Sequence, residues 1–236
     1  MTIKRFKNEK YNNVISKIEQ DFKAETNGES TEITIYGDIG DSWWGESVSA
    51  NDINEALKNV TSNEIIVQLN SAGGDVFDGI AIYNQLKNHT AKVVVYVDGW
   101  AASAASIIAM SADELIMNTG SMLMIHEAST FVYGSKTDMK KTLNALEGLD
   151  KSIIDIYMTR FKGERSEIET MMNSETWFTS SEAVDVGLAD KVNEKIEEPV
   201  DPEEFKNNVL QRFRNKKVEP IVASGNKMLD RFKRLS

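Results

Sequence analysis

Few side chains in this sequence could carry reaction chemistry, which narrows the search for a reactive centre. There is no cysteine, and the histidines are His89 and His126. Without cysteine, thiolate nucleophiles, Cys-based metal sites and disulfide frameworks are excluded. His89 follows Lys87-Asn88 at the end of a predicted helix, where a cation suits the helix dipole and water is near, so it reads as structural. His126 follows the apolar run Met122-Leu123-Met124-Ile125. A histidine at the carboxyl end of a buried strand in a parallel sheet lies where such sheets hold their ligands. Alone, such a position more often holds a core or surface histidine, so His126 needs partners from elsewhere.

Two segments can supply them. Gly99-Trp100-Ala101-Ala102-Ser103-Ala104-Ala105-Ser106 sets a serine among small residues, after an apolar run and at a helix start. Small neighbours let a substrate backbone approach. The helix N-terminus supplies positive potential where an oxyanion would form, and the strand-to-helix turn exposes the hydroxyl. Ser106 and Ser111 lie further into that helix and fit close packing. In Asn70-Ser71-Ala72-Gly73-Gly74-Asp75, paired glycines free the backbone to aim N–H groups into a cleft, as an oxyanion hole requires. Each segment also has a plainer reading: a packing helix rich in Ala and Ser, and a tight turn.

The elements that must position these residues follow from periodicity. Residues 1–30 are polar, with weak helical spacing of Val14, Ile15, Ile18 and Phe22, and read as a loosely attached arm. Ile33, Ile35 and Ile39 alternate with polar residues as in a strand, and Ser49 opens a short helix to about Asn59. Ile65–Leu69 is a buried strand broken by Gly73-Gly74, with helical spacing after it up to Asn88. Val93–Val97 is the next strand, ended by Asp98-Gly99-Trp100 and followed by a helix from near Ala102. This repeated strand–turn–helix order is the βαβ pattern of a parallel sheet with right-handed crossovers. Further strands fit Leu115–Met117 and Met122–Ile125. A short extended piece, Thr130 to Val132, leads into a long helix from about Lys136 to Phe161. Two shorter helices and a strand near Ala189–Val192 follow, and Pro199 and Pro202 mark a linker into a tail.

Composition bounds the partners. Over 236 residues, 41% are hydrophobic and 27% charged, enough apolar material for one substantial core. Residues 201–236 hold nine Lys/Arg against five Asp/Glu, leaving a net charge of −14 on residues 1–200. An acidic body argues against nucleic-acid binding, and the basic tail reads as a solvated segment of mixed charge. The N-terminus lacks the apolar run of a secretory signal, and no uncharged apolar stretch is long enough to span a bilayer, so a cytoplasmic protein is expected.

In this order, Leu69-Asn70-Ser71-Ala72-Gly73-Gly74, Gly99-Trp100-Ala101-Ala102-Ser103-Ala104 and Met124-Ile125-His126 resemble the proteolytic subunit of Clp protease (ClpP). The likeness continues in Trp177-Phe178-Thr179-Ser180-Ser181-Glu182-Ala183-Val184-Asp185-Val186-Gly187-Leu188-Ala189-Asp190, similar to the family's closing F-x-S-A-x-E-A-x-x-x-G-L-x-D segment. It covers roughly residues 31–195, read as the peptidase domain between the arm, residues 1–30, and the linker and tail, residues 196–236. The resemblance implies an α/β, ClpP/crotonase-like fold of repeated βαβ units with a protruding long helix. It implies a serine endopeptidase with Ser103 as nucleophile, His126 as general base and the backbone N–H groups of Gly74 and Ala104 as the oxyanion hole, needing neither cofactor nor metal. The family's triad acid lies two residues before the conserved phenylalanine, here Phe178, and Thr176 stands in its place. A threonine hydroxyl can accept the imidazole N–H but offers the imidazolium no negative charge. Glu175, next to it, is the reserve candidate.

Partners follow from the same resemblance: a protein or peptide substrate, further copies in a homo-oligomeric ring joined about Thr130 to Phe161, and an ATPase or a capsid or scaffold protein. No G-x-x-x-x-G-K-[ST] motif occurs, so any ATP use would belong to the partner. Glu175-Thr176-Trp177-Phe178-Thr179, the Trp43-Trp44 segment and the tail look more like the phage-type branch, whose members trim scaffold and capsid proteins as head maturation proteases. Two other readings stay open: a catalytically weak or inactive assembly protein, motivated by Thr176, and a crotonase-type acyl-CoA enzyme.

Overall fold

In a computed structural model, residues 21–40 and 47–193 are described. They form a single mixed sheet covered by helices. Strands β2 (Ser30–Ile39) and β3 (Glu64–Gly74) alternate half-buried and fully buried residues. That two-residue period sends Ile33, Ile35, Ile65, Val67 and Leu69 into the core. Each such side chain contributes about 1.5–3 kcal/mol by leaving water. Strand β4 (Lys92–Ala102) adds Val93, Val95 and Val97 to the same interior.

The sheet order is β1-β2-β3-β4-β5-β8, with β1 (Asp21–Asn27), β5 (Glu114–Asn118) and β8 (Lys191–Asn193). From β2 to β8 every neighbouring pair is parallel, as the βαβ pattern requires, while β1 runs antiparallel to β2. Phe22 is therefore on a strand, and not on a helix as its spacing suggested. Pairing with β2 overrides the weak helical periodicity there. Val14, Ile15 and Ile18, the Trp43-Trp44 segment and the tail lie outside the described residues.

Helix α1 (Ala50–Lys58) starts at Ser49, whose hydroxyl accepts from the Asp52 N–H in a capping box. Helix α2 (Val76–Lys87) starts at Asp75, whose buried carboxylate accepts from Phe77 N and Asp78 N. The short α3 (Ala104–Ala109) is wholly buried between α2, β3 and β4, and Gly79 of α2 lets Ala104 approach closely. The long α4 (Lys136–Tyr157) buries only its second half, through Leu149, Ile153, Ile154, Ile156 and Tyr157. Its first half leaves Met139 and Leu143 exposed, as do Phe131 and Tyr133 just before it. Helices α5 (Arg165–Asn173) and α6 (Ser180–Asp185) complete the unit.

One departure from the periodicity matters for function. Asp98-Gly99-Trp100 does not end β4, which runs on to Ala102 and changes partner on the way. Up to Val97 it pairs with β5; from Trp100 to Ala102 it pairs with β6 (Met122–Ile125). Strand β7 (Thr176–Thr179) then adds to β6 antiparallel. Gly99 is a close-approach glycine here, since a Cβ on it would lie 2.7 Å from Asn70 Oδ1.

Candidate active site

The switch of partner at the end of β4 brings the reactive groups together. Ala102 is in register with Met124, so Ser103 leaves β4 level with Ile125 and His126 follows one residue further on. The Ser103 N–H donates to the Met124 carbonyl at 3.0 Å, tying the turn to β6. Ser103 has φ 56° and ψ −125°, a left-handed conformation costly for a residue with a Cβ. It stands at the N-cap of α3 without a side-chain capping bond, so its hydroxyl is not spent on the helix. Ser103 Oγ instead lies 2.8 Å from His126 Nε2, with both residues half-buried. Such a pair can pass a proton from hydroxyl to imidazole during attack on a carbonyl.

The end of β3 packs against this pair. A Cβ built on Gly73 would fall 2.6 Å from the Ala102 carbonyl oxygen, 2.7 Å from Ser103 Cβ and 2.8 Å from Ala104 N. Only glycine fits, and its φ of 92° makes the same demand. The hydroxyl of Ser71, a fully buried residue, accepts from Gly73 N at 3.0 Å and donates to the Gly37 carbonyl at 2.6 Å, which fixes the turn. Gly74 is also confined to glycine, with a virtual Cβ 2.2 Å from the Ile39 carbonyl oxygen. Ala104, the first residue of α3, has no carbonyl within its own helix to accept its N–H.

Thr176 and Glu175 lie at the start of β7 and just before it, beside the end of β6. Thr176 is paired with Ile125 across β6 and β7, and its hydroxyl donates to the Met171 carbonyl at 2.7 Å. The pairing ends there: His126 follows β6 and Glu175 precedes β7. Glu175 has φ 51°, and it and Ser103 are the non-glycine residues with positive φ among those described. Trp177 stacks on Trp100 with ring centroids 6.0 Å apart, so β7 is held to β4 across the intervening β6. Neither β7 nor this stack has a clear signal in the sequence, because the strand is only four residues long.

Past His126, the Ala128 N–H donates to Asp150 of α4 at 2.7 Å. Burial raises the Asp150 carboxyl above its ordinary range; the Ala128 N–H opposes that, and the Glu127 charge adds to it. Glu127, Asp150, Ile154, Met172 and Asn173 are among the residues lining a cavity of about 340 Å³ beside this loop. His89 accepts the Ala91 N–H on Nδ1 at 3.1 Å, the structural role read from its position. No group of three or more metal-ligating side chains occurs among the described residues, nor any helix long and apolar enough to cross a membrane.

Comparison with known proteins agrees with this geometry. A family model described as Clp protease matches residues 29–196. The chain belongs to the Clp protease family. Members are serine-type peptidases, and a serine held at hydrogen-bond distance from a histidine is the pair that such chemistry needs. The ATP-dependent Clp protease proteolytic subunit 1 of Protochlamydia amoebophila is 33% identical over 138 residues, 57% of this chain and 67% of that protein. A proteolytic subunit 1 of Chlamydia pneumoniae is 29% identical over 161 residues, covering 64% of this chain and 84% of the relative. A ClpP1 mutant from Listeria monocytogenes superposes with a TM-score of 0.60 at 23% identity, over 70% of this chain and 92% of its own. The last likeness speaks for the fold: a Clp-type α/β sheet with a long helix.

Proposed function

We propose that this Clp-family chain cleaves peptide bonds through an acyl-enzyme on Ser103. His126 takes the hydroxyl proton as Ser103 Oγ attacks the scissile carbonyl. The backbone N–H groups of Gly74 and Ala104 stabilise the tetrahedral oxyanion. His126 then protonates the leaving amine, and water, deprotonated by the same imidazole, releases the acyl group. The observation carrying this reading is the 2.8 Å contact between Ser103 Oγ and His126 Nε2, on a backbone strained to present that hydroxyl.

For the group that orients His126, one further antiparallel step beyond the last pair, Ile125 with Thr176, would set Glu175 opposite His126, which supports Glu175 over Thr176. The Thr176 proton goes to Met171, leaving its lone pairs to accept an imidazole N–H, whereas Glu175 would bring a charge to the imidazolium. Exposed Phe131, Tyr133, Met139 and Leu143, at and before the start of α4, support association of further copies through that region. Relatives bear the name ATP-dependent, and with no phosphate-binding motif in this sequence an ATPase would be a separate partner. Capsid or scaffold processing is the narrower substrate reading, carried by the Glu175–Thr179 motif, the Trp43-Trp44 segment and the tail, while the relatives named above are bacterial proteolytic subunits.

Intact mass after incubation with a fluorophosphonate tests the reading. One adduct on the parent protein, none on Ser103→Ala and strongly slowed labelling of His126→Ala are expected. A parent that takes no adduct would identify an assembly protein or an acyl-CoA enzyme, neither of which requires a nucleophile at position 103.

A further inference from the structure

Ser106 has the sequence context of a packing residue, yet its hydroxyl is fully engaged beneath the nucleophile. Ser106 Oγ donates to the Ser103 carbonyl oxygen at 2.6 Å and lies 2.7 Å from the Tyr157 hydroxyl. Because the serine proton is directed to Ser103, the bond to Tyr157 has one possible polarity: the phenol donates and Ser106 Oγ accepts. Ser106 and Tyr157 are 0% and 1% exposed, so water does not replace either partner. Burial pushes the Tyr157 phenol well above its ordinary value, which keeps it protonated, and a donor, across any working pH.

The acceptor of this relay is the feature that matters. The Ser103 carbonyl and the Ala104 N–H belong to one planar trans peptide, so they point in opposite directions. Holding the carbonyl down into α3 turns the N–H away from the helix body. The Ala104 nitrogen lies on the side that Gly73 leaves open. The helix contributes Ser106 N at 2.9 Å and Ile107 N at 3.3 Å to the same oxygen, and the hydroxyl at 2.6 Å is the shortest of the three contacts. An unfavourable backbone conformation at Ser103 persists only if its surroundings hold it.

We propose that Ser106 and Tyr157 are positioning residues that fix the Ser103–Ala104 peptide so that its N–H faces the developing oxyanion. This rests on the peptidase reading given above. The pair touches no substrate atom and acts through the peptide plane. Loss of a whole oxyanion donor costs about a hundred- to a thousandfold in turnover. Loosening one costs less, so Tyr157→Phe and Ser106→Ala should each lower kcat about tenfold with KM within about twofold. The pH profile should keep its shape, since no titrating group is removed from His126. Affinity for a peptide boronate, which forms a tetrahedral adduct on serine, should fall in parallel with kcat.

The double variant separates positioning from simple stability. Removing both hydroxyls leaves no unsatisfied partner, so thermal stability should recover towards the parent while kcat stays low. Fluorophosphonate labelling of the parent is the control. An unlabelled parent overturns the peptidase reading and the relay together. A labelled parent whose single variants turn over at the parental rate, or whose double variant regains activity along with stability, overturns the relay alone.

Discussion

Lys92 and Ala102 begin and end the same strand, β4, in contrasting surroundings. At the first end Lys92 lies 3.6 Å from Glu64 and 3.1 Å from Glu114, and Lys191 lies 2.5 Å from Glu114. The charges alternate across β3, β4, β5 and β8, with side chains 30–56% exposed. Such pairs are screened by water, and either partner can be solvated if the other is lost. At the other end Ala101 and Ala102 are fully buried, Ser103 is strained, and Ser71, Gly73, Ser106 and Tyr157 fill the space around it. There the Ser71, Ser106 and Tyr157 hydroxyls each have a hydrogen-bond partner, and a methyl group on Gly73 would overlap backbone atoms. One hydrogen-bonded ladder thus ends in a replaceable charge pattern on one side and in a fixed geometry on the other.

The sharpest break of this contrast is at Glu175. If its carboxylate orients His126, Glu175→Gln should lower kcat/KM about a thousandfold or more. The sign of the pH effect is also set. A neighbouring anion favours imidazolium and raises the histidine pKa, so its removal should move the acid limb of the kcat/KM profile to lower pH. Thr176→Val removes the bond to Met171 and should leave that limb in place. The reverse pattern, with the limb moving in Thr176→Val only, would assign the orienting role to Thr176.

Gly73→Ala should act less strongly, by about a hundredfold in kcat, because the added methyl crowds Ala104 N without removing the nucleophile or base. Gly120→Ala is the matched control: its φ is 82°, like the 92° of Gly73, but nothing lies within 4 Å of its virtual Cβ. Gly120→Ala should cost about 1–2 kcal/mol of stability from the left-handed backbone, whereas Gly73→Ala should cost more, because its methyl also overlaps backbone atoms, and only Gly73→Ala should lose turnover. Equal activities in the two would mean that Gly73 serves the backbone angle alone.

Ser103 and His126 could be singled out in the sequence because their segments stand in an order that resembles the Clp family, each alone having a plainer reading, and a 2.8 Å contact joins them. The βαβ core was legible from periodicity: alternation in Ile33–Ile39 and the apolar run Val93–Val97 have no other economical reading. What escaped depends on long-range contact. Asp98-Gly99 resembles a turn, and only the pairing of Trp100–Ala102 with β6 keeps the strand going. Ser106 and Tyr157 are 51 residues apart, and each alone fits a packed helix. The pairing of Thr176 with Ile125 is a strand register, which a four-residue segment does not declare.

The smallest effect is expected at the opposite end of β4, where the charge pattern makes its own prediction. Hydrogen bonds from Lys191, then Lys92, hold the Glu114 carboxyl below its ordinary value of 4.5. A carboxyl whose pKa is depressed in the folded state contributes stability above its unfolded pKa and loses that contribution as pH falls through the folded one. Because the pairs are open to solvent, which screens them, the contribution is heavily discounted. Glu114→Gln should therefore leave kcat unchanged and shift Tm by no more than about 2 °C at neutral pH. The gap between variant and parent should close as pH falls through the lowered Glu114 pKa and the parent side chain takes up its proton. A Tm loss above about 5 °C, or any change in turnover, would mean that the two ends of β4 are mechanically joined and that the charged end is no more replaceable than the catalytic one.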